Sequence, residues 1–515
     1  MYTKLNSQRR FIIKGIGALG VGGVIVACGG GSSTSGSGSS SNSSGTGGGS
    51  DPTNASKGTS AATCTNSATI PLIIDASVAA TGIPANIPIY AYITGLVAVP
   101  SRDVYYRYSN LSNKPVEMST LDDSIAAGGS GTGLSGTSGS TNYPQVWADY
   151  SILLDRTCAT VAADLATFNT SNIPGFGTGG AAFSGRIWIS VGTPKIPFTA
   201  FAGTPANQTS GSPVTGYATP NPATGAVGSL CMFDWLEFSY DITGALNINT
   251  TQVDQYGFPI SMTATGTGVA GGEQGIFNTS RSSILSTLAT QSSSLFNGSV
   301  AIPSVGVASG TYPPAANTSG ILRALAPPNS SGATTSNYLA TPITNAMGYW
   351  ANNILSVTCP SNVLQQTYYG KAVNSTTLNF YTTSAVSGTA VFSFNDITTY
   401  NVLNCSGTLA GNGVSQTGDL LSDLQNTGKA ILAGFNRGVI SSTSILNITA
   451  SNYNPPLSNN YQSTTIPYNT WALKFHQFSS NGYAYGFSYD DVGSEQPTIT
   501  TTTTASLKLQ LGIFQ

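Results

Sequence analysis

The sequence predicts a mainly β protein: an antiparallel β-sandwich or barrel with an inserted mixed α/β domain. From about Thr63, short segments rich in β-branched and aromatic residues, such as IPIYAYITGLVAV (87–99), alternate with turn residues. Apolar residues then recur at helical spacing in three later segments, 280–296, 342–356 and 418–438. We expect a wide cleft between the two parts, because domain junctions are favoured ligand sites.

Five segments follow from this pattern. They are 1–28, a signal peptide with a lipobox; 29–62, a Gly/Ser-rich disordered tether; 63–262, the β-sandwich core with the strands that carry the candidate acids; 263–455, the mixed α/β domain; and 456–515, strands that return to the β core. The tether is almost pure Gly, Ser, Asn and Thr and cannot bury a core. The last segment is assigned to strands because NTWALKFHQF (469–478) and NGYAYGFSYDDV (481–492) carry strand patterns.

Charge is scarce in this chain. Of its 515 residues, 7% are charged and 40% are hydrophobic, which is enough for a sizeable core. A nucleic-acid-binding protein needs a basic patch for the phosphates, and none is visible in the sequence. The composition is typical of an exported β-rich protein, and we expect it to be a monomer.

The N-terminus is typical of an export signal that ends in a lipid anchor. QRRFIIK (8–14) resembles a twin-arginine signal, although a general secretion signal also carries two arginines in some proteins. The apolar run 15–27 is shorter than the about 20 residues of a membrane-spanning helix. It ends in IVAC, which resembles a bacterial lipobox and predicts lipidation of Cys28; the alternative is an ordinary signal peptide with a chance cysteine. We expect an exported lipoprotein in the periplasm, at the outer membrane or on the cell surface.

The cysteine count limits the disulfides. The chain has six cysteines, at Cys28, Cys64, Cys158, Cys231, Cys359 and Cys405. With Cys28 lipidated, five remain, which allows at most two disulfides and one free thiol in an oxidising compartment. The spacings do not determine the connectivity, and Cys359–Cys405 is one candidate bridge. Because no CxxC pair is present, we expect no zinc site.

The stretch FDWLEFSYD (233–241) combines a tryptophan with acidic and small polar residues. Alternation along a strand places one set on a core-facing side, namely Leu236, Phe238 and Tyr240. The opposite side carries Trp235, Glu237, Ser239 and Asp241. Such a face suits a sugar, because an indole stacks on C–H groups while polar groups bind hydroxyls. The alternative is an outward-facing, solvated sheet surface, since Asp and Glu are mostly exposed.

A second acid, Asp254, follows in NINTTQVDQYGFPI (247–260). A straight hairpin with its turn at Thr243–Gly244 places Glu237 opposite Thr250, and Asp254 about 13 Å further along the strand. Carboxyl pairs in inverting glycosidases lie about 6.5–9.5 Å apart. Either the second segment bends or the two acids do not act together.

These two stretches resemble the core motif of glycoside hydrolase family 64, the endo-β-1,3-glucanases with a thaumatin-like fold. SGRIWISVG (184–192), AILAGFNRGVI (430–440) and WALKFHQFSSNGYAYGFSYDDVG (471–493) fit the same family. The resemblance implies inverting endo-hydrolysis of β-1,3-glucan to short oligosaccharides, with Glu237 as general acid and Asp254 as general base and with no metal or organic cofactor. It also implies a bend between Asn249 and Pro259 that brings Asp254 across a water from the scissile bond.

The two acids need different protonation states. Trp235 and the apolar strand are expected to keep Glu237 protonated. Asp254, among Asn249, Thr250 and Gln252, is expected to stay ionised.

Other residues are predicted to contact substrate, namely Trp235, Ser239, Asn249, Thr250, Asp490 and Asp491. For the two aspartates the alternative is a structural role that binds backbone N–H groups in a turn. The lone histidine, His476, is more often a satisfied structural residue. Arg186 either lines the groove or anchors an acid, and Arg437 supports the inserted domain.

A second functional class stays open at this point. A non-catalytic lipoprotein that binds β-1,3-glucan keeps the same cleft but has no need of paired carboxyl groups. The presence of both Glu237 and Asp254 favours the enzyme. A structural protein of the cell envelope, the third possibility, predicts no affinity for the glucan.

Overall fold

The computed structural model describes residues 60–61, 64, 67–99, 102–126, 144, 146–202, 213–291, 295–296, 298–301, 320–330, 336–359, 362–440, 447–449, 467–493 and 496–515. The predicted signal peptide, Cys28 and the tether up to residue 59 lie outside these residues. No helix within the described ranges is long and apolar enough to span a membrane.

Strands outnumber helices in the described ranges, as the sequence predicts. The strands are β1 (Ser60–Ala61), β2 (Pro71–Asp75), β3 (Ile89–Val99), β4 (Arg102–Ser109), β5 (Lys114–Glu117), β6 (Ile125–Ala126), β7 (Val146–Trp147), β8 (Ile152–Leu153), β9 (Ala159–Asp164), β10 (Phe183–Val191), β11 (Thr199–Phe201), β12 (Gly216–Ala218), β13 (Met232–Tyr240), β14 (Leu246–Thr250), β15 (Gln255–Tyr256), β16 (Ile260–Thr267), β17 (Gln274–Gly275), β18 (Gly298–Ala301), β19 (Ile321–Leu325), β20 (Leu355–Thr358), β21 (Tyr368–Ala372), β22 (Leu378–Tyr381), β23 (Phe392–Phe394), β24 (Asn447–Thr449), β25 (Thr498–Thr500) and β26 (Thr503–Leu511). The α-helices are α1 (Ser77–Thr81), α2 (Arg281–Ala289), α3 (Ala340–Asn352), α4 (Thr399–Leu403), α5 (Gly418–Asn436) and α6 (Thr470–Phe478).

Two β-sheets form the predicted sandwich. The larger sheet has the strand order β1-β8-β3-β10-β13-β14-β25, with β4 and β5 attached at β3. The second sheet has the order β17-β16-β26-β2-β9. Apolar side chains from both sheets, among them Ile93, Leu236, Met262 and Leu509, form one buried core. The sheets are mostly antiparallel, which confirms the predicted fold class.

The other face of the larger sheet is also partly covered. Trp188 on β10, and Phe233 and Trp235 on β13, belong to a second buried cluster with Tyr92 and Phe198. Because side chains alternate along a strand, the remaining apolar residues of β13 lie in the sandwich core instead. The predicted division of β13 into two faces is therefore confirmed.

The inserted domain has its own sheet, helices and core. Its five strands have the order β23-β22-β21-β20-β24. Helix α3 buries Ile343, Ala346, Met347 and Trp350, which recur at the spacing of one helical face. The helices α2, α3 and α5 fall in the three segments where helical spacing predicts them.

The prediction of strands at 469–478 and 481–492 is wrong. The first segment is helix α6, which begins after Asn469, whose side chain accepts a hydrogen bond from the Ala472 N–H. A short apolar run does not distinguish a strand from a buried helix by its periodicity. The second segment consists of turns, and both pack in the core of the α/β domain. Among the described residues after 455, only β25 and β26 return to the sandwich, and the α/β domain extends well beyond residue 455.

The candidate bridge Cys359–Cys405 is also wrong, since neither cysteine forms a disulfide. The thiol of Cys359 donates to the carbonyl of Asn426 on α5, whereas that of Cys405 donates to the Val402 carbonyl of its own helical turn. The disulfide joins Cys64 to Cys158 across 94 residues. It ties the start of the body to the edge strand β9.

Candidate active site

A row of side chains crosses the larger sheet at right angles to its strands. Thr94, Arg186, Glu237, Asn249 and Thr498 are direct register partners on β3, β10, β13, β14 and β25. Directly opposed residues of an antiparallel sheet share one face. Glu237 therefore lies beside Arg186 and Asn249.

This register differs by one residue from the predicted hairpin. Glu237 lies opposite Asn249, while Thr250 lies opposite Leu236 of the sandwich core. A shift of one residue moves a side chain to the other face of a sheet. Thr250, which is 3% exposed, is therefore on the wrong face for the predicted substrate contact beside Glu237.

Arg186 binds the carboxyl group of Glu237. Its Nη2 lies 2.9 Å and its Nε 3.2 Å from the same oxygen, Oε1. Its Cζ lies 5.3 Å from the ring centroids of both Trp188 and Trp235. The structure thus supports the second of the two roles predicted for Arg186, the anchoring of an acid.

Trp235 is not the open platform that the sequence predicts. It is 4% exposed, and its ring packs 5.2 Å from that of Trp188 and 6.0 Å from that of Phe233. The Phe233 ring stacks on the indole, and the ring of Trp188, the register partner of Trp235, lies tilted against it. Trp235 supports Arg186 rather than offering a free face to a sugar.

Asp254 reaches the site because the chain bends after β14. That strand ends at Thr250, and β15 pairs with β19 in a separate sheet. The predicted bend between Asn249 and Pro259 is confirmed. The Asp254 carbonyl accepts hydrogen bonds from the Ala326 N–H (3.0 Å) and from the Asn329 side chain (3.2 Å). The same Asn329 amide lies 3.3 Å from the carboxyl Oδ1.

Contacts to β13 hold the bend from the other side. The Gly257 N–H donates to Oδ2 of Asp234 at 2.8 Å, and the Gln255 side chain donates to the Phe233 carbonyl at 2.6 Å. A Cβ added at Gly257 would lie 2.3 Å from that carbonyl oxygen. Only glycine allows this approach of the two backbones.

The surroundings of the two acids differ from those predicted. Burial raises the pKa of Asp254, Arg186 and Asn329 lower it, and the Glu237 carboxylate raises it further. Glu237, expected in apolar surroundings, instead pairs with a cation. Asp254 and Glu237 lie close enough to influence one another, and Arg186 acts on both.

The remaining predicted contacts separate into two groups. Ser239, in the next row of the sheet, and Asn249 lie on the face that carries Glu237. Asp490 has no exposed surface, and its carboxylate is bonded to Arg437, His476 and a backbone N–H. This burial contradicts a substrate contact for Asp490 and supports the structural alternative. Asp491 is partly exposed.

Sequence reasoning missed Asn329 and Thr94. Asn329 follows two prolines, 75 residues after Asp254, and no motif points to it. Thr94 accepts hydrogen bonds from the Trp188 indole (3.0 Å) and the Tyr217 hydroxyl (3.2 Å). These bonds fix the Trp188 ring, against which Arg186 lies. Only the sheet register reveals that Thr94 and Arg186 are neighbours.

A family model for β-1,3-glucanases, glycoside hydrolase family 64, matches residues 138–511. The chain belongs to glycoside hydrolase family 64. Its substrate is therefore β-1,3-glucan, which it hydrolyses. The residues of the site from Arg186 to Asn329 all lie within the matched span.

Two solved structures agree with this family 64 fold. The β-1,3-glucanase domain from Clostridium beijerinckii is 21% identical, with a TM-score of 0.58 over 87% of this chain and 99% of that one. A laminaripentaose-producing β-1,3-glucanase in complex with laminaritetraose is 20% identical, with a TM-score of 0.54 over 87% and 99% of the two chains. No curated protein matches the chain in sequence.

Proposed function

We propose that this family 64 member cuts β-1,3-glucan internally with inversion, using Glu237 as general acid and Asp254 as general base. The observation that carries the proposal is that one cation, Arg186, acts on both carboxyl groups. Two carboxyl groups held around one point supply the acid and the base that an inverting glycosidase needs. We also propose that the glucan binds in the cleft between the sandwich and the α/β domain.

The geometry of Glu237 suits a proton donor. Both Arg186 contacts go to Oε1. In the described ranges Oε2 has no hydrogen-bond partner. A proton on Oε2 therefore leaves the arginine contacts intact, since a carboxylic acid still accepts at its carbonyl oxygen. From Oε2 the proton passes to the glycosidic oxygen of the leaving sugar.

Asp254 acts on the other side of the bond. It takes a proton from water as that water attacks the anomeric carbon. Arg186 and Asn329 favour its ionised form, while burial and the neighbouring Glu237 oppose it. The assignment requires Asp254 to be ionised when the water attacks, so its pKa sets the pH at which the base works.

The two roles are separable with an activated substrate. A dinitrophenyl β-laminarioligosaccharide has a leaving group that needs no protonation. We expect Glu237→Gln to lose activity on laminarin but to keep it on this substrate, and Asp254→Asn to lose both. The opposite pattern would show that the roles are exchanged, and full activity of either variant on laminarin would end the assignment.

Stereochemistry and binding test the rest of the mechanism. Proton NMR during laminarin hydrolysis should show the α-anomer of the new reducing end first, and a β-anomer first would exclude inversion. Both variants should still bind laminarin. If the wild-type chain binds laminarin and releases no reducing ends, the protein is the non-catalytic glucan-binding lipoprotein instead.

We also propose export and lipid anchoring through Cys28, on the basis of the RR pair and the IVAC motif. A Cys28→Ser variant should move from the membrane fraction to the soluble fraction of the envelope and should lose incorporation of labelled palmitate. Cys231→Ser, which alters a buried thiol in the body, is the control. Palmitate label in the Cys28 variant would contradict the anchor.

A further inference from the structure

The two proposed catalytic groups are held by different cores. Glu237 lies on β13 of the sandwich, whereas the segment before Asp254 is gripped by the α/β domain. The Gln252 N–H donates to the Tyr485 carbonyl at 2.9 Å, and the Gln252 carbonyl accepts from the Trp471 indole at 2.8 Å. Asp254 follows Gln252 by two residues, so these two bonds hold the backbone from which the Asp254 side chain extends.

The two bonds to the Gln252 backbone come from two segments of the α/β domain that pack against each other. Trp471 lies on α6, and Tyr485 lies in the turns that follow it. Phe475, one turn further along α6, packs against Tyr256 beyond Asp254, with ring centroids 5.3 Å apart. Gly486 packs so closely that an added Cβ would lie 2.5 Å from the Ala472 Cα.

A buried ionic network fastens the turns to α6. Oδ2 of Asp490 accepts hydrogen bonds from His476 Nε2 (3.0 Å) and from the Gly486 N–H (2.9 Å). Oδ1 accepts from Arg437, the residue that ends α5, at 2.9 Å. The Gly486 N–H belongs to the same peptide group as the Tyr485 carbonyl, so this bond fixes the orientation of that carbonyl. The network therefore joins α5, α6 and the turns next to Tyr485, whose carbonyl binds the Gln252 N–H.

The geometry assigns the charge of His476. Its Nε2 faces the Asp490 carboxylate, and its Nδ1 lies 2.8 Å from the Gly482 carbonyl. Both partners accept only, so both ring nitrogens donate and His476 is an imidazolium. Three charges with at most 2% exposed surface are costly to desolvate, which makes the network weak evidence for stability alone.

We propose that the Arg437–Asp490–His476 network is a positioning device for the general base. It holds α6 and the following turns so that Trp471 and Tyr485 fix the Gln252 backbone, and through it Asp254, relative to Glu237. The three charged side chains are buried, with at most 2% of their surface exposed. This inference rests on the proposed function, in which Asp254 is the base.

Two variants test the positioning role. Trp471→Phe removes the indole donor while an aromatic ring stays in the core, and His476→Gln keeps an N–H donor but cannot carry the charge. Displacement of a catalytic group by about 1 Å costs on the order of 100-fold in rate. We expect kcat on laminarin to fall about 10- to 100-fold in both variants, with KM near the wild-type value. Gln477→Ala, on the exposed side of the same helix, is the matched control.

The pH profile separates positioning from a loss of folded protein. Displacing Asp254 from Arg186 and Asn329 removes groups that lower its pKa. The acid limb of kcat should therefore move to higher pH in Trp471→Phe and His476→Gln but not in Gln477→Ala. Fewer folded molecules would lower kcat at every pH without moving this limb.

The outcomes distinguish the inference from the proposed function. If wild type is active, Asp254→Asn is inactive and both variants keep the wild-type kcat and acid limb, the positioning role is wrong and the base assignment stands. If Asp254→Asn is active, the proposed function itself fails. Should either variant not fold, Gly486→Ala displaces the Tyr485 carbonyl by contact with α6, and an unchanged kcat in that folded variant overturns the inference.

Discussion

At the scale of single residues, Arg186 links the two acids. Its guanidinium lies against the rings of both Trp188 and Trp235 and contacts one oxygen of Glu237 twice. These cation–π contacts restrain a side chain that is otherwise flexible. A lysine ammonium lacks the planar set of donors that makes this double contact. The position of positive charge in the site is thus fixed before substrate arrives.

Asn329→Ala should move the acid limb of the pH–rate profile to higher pH. The base must be ionised, so the rate rises as pH passes the pKa of Asp254. Asn329 lowers that pKa, which burial raises, and its removal therefore raises the pKa further. Measurement of kcat/KM against pH checks this, with Asn352→Ala at the exposed end of α3 as control. A limb that stays in place would exclude a role of Asn329 in tuning the base.

Gly257→Ala should lower both stability and activity. The new Cβ would meet the Phe233 carbonyl at 2.3 Å, so the bend that carries Asp254 must shift. We expect a lower melting temperature and a kcat reduced about 10-fold or more. Gly348→Ala is the matched control, because this exposed helical glycine has open space around it and alanine favours a helix by about 1 kcal/mol. Wild-type activity in Gly257→Ala would contradict our account of the bend.

At the scale of elements, α6 joins the sandwich to the α/β domain. Its residue His476 binds Asp490 in the buried network, and its titration makes the stability of the protein depend on pH. Burial opposes the charge of His476, but the Asp490 carboxylate and the Gly482 carbonyl raise its pKa above the ordinary value, against the nearby Arg437. Burial likewise opposes the charge of Asp490, but His476 and Arg437 lower the pKa of Asp490.

Stability should therefore fall at alkaline pH in wild type and less so in His476→Gln. A histidine with a raised pKa contributes fully below its ordinary value of 6.5, and the contribution is lost as pH rises through the raised one. The Asp490 contribution is lost only as pH falls below 3.8 and through its lowered pKa. Urea unfolding between pH ~5 and ~9 measures the slope. Equal slopes for both proteins would show that His476 does not carry the alkaline loss.

At the scale of the whole molecule, the Cys64–Cys158 disulfide closes a long covalent loop. It spans 94 residues and ties the first described residues to β9. We expect the Cys64→Ser/Cys158→Ser double variant to lose about 2–4 kcal/mol of stability, because the cross-link restricts the unfolded chain. Chemical denaturation of the oxidised protein measures this, and Cys359→Ser, at a free thiol of the α/β domain, is the control. A loss in the control as large as in the double variant would contradict the assignment.

Local pattern predicted much of this architecture. The faces of β13 and the three helical segments are as expected, because alternation and helical spacing are local properties, and the bend after Asn249 is as the family resemblance implies. The errors lie in segments whose pattern of apolar residues fits more than one secondary structure. The run at 470–478 suits a strand or a helix, and its packing inside the α/β core decides for helix.

The sequence by itself determined the family and the mainly β class and singled out the two acids proposed for catalysis, since these depend on residue types in chain order. Only the tertiary structure decided which groups surround each acid. Arg186 reaches Glu237 through strand register, Asn329 reaches Asp254 across 75 residues, and Asp490 is enclosed by Arg437 and His476. Contacts between distant segments depend on how sheets and domains pack, and no local pattern encodes them.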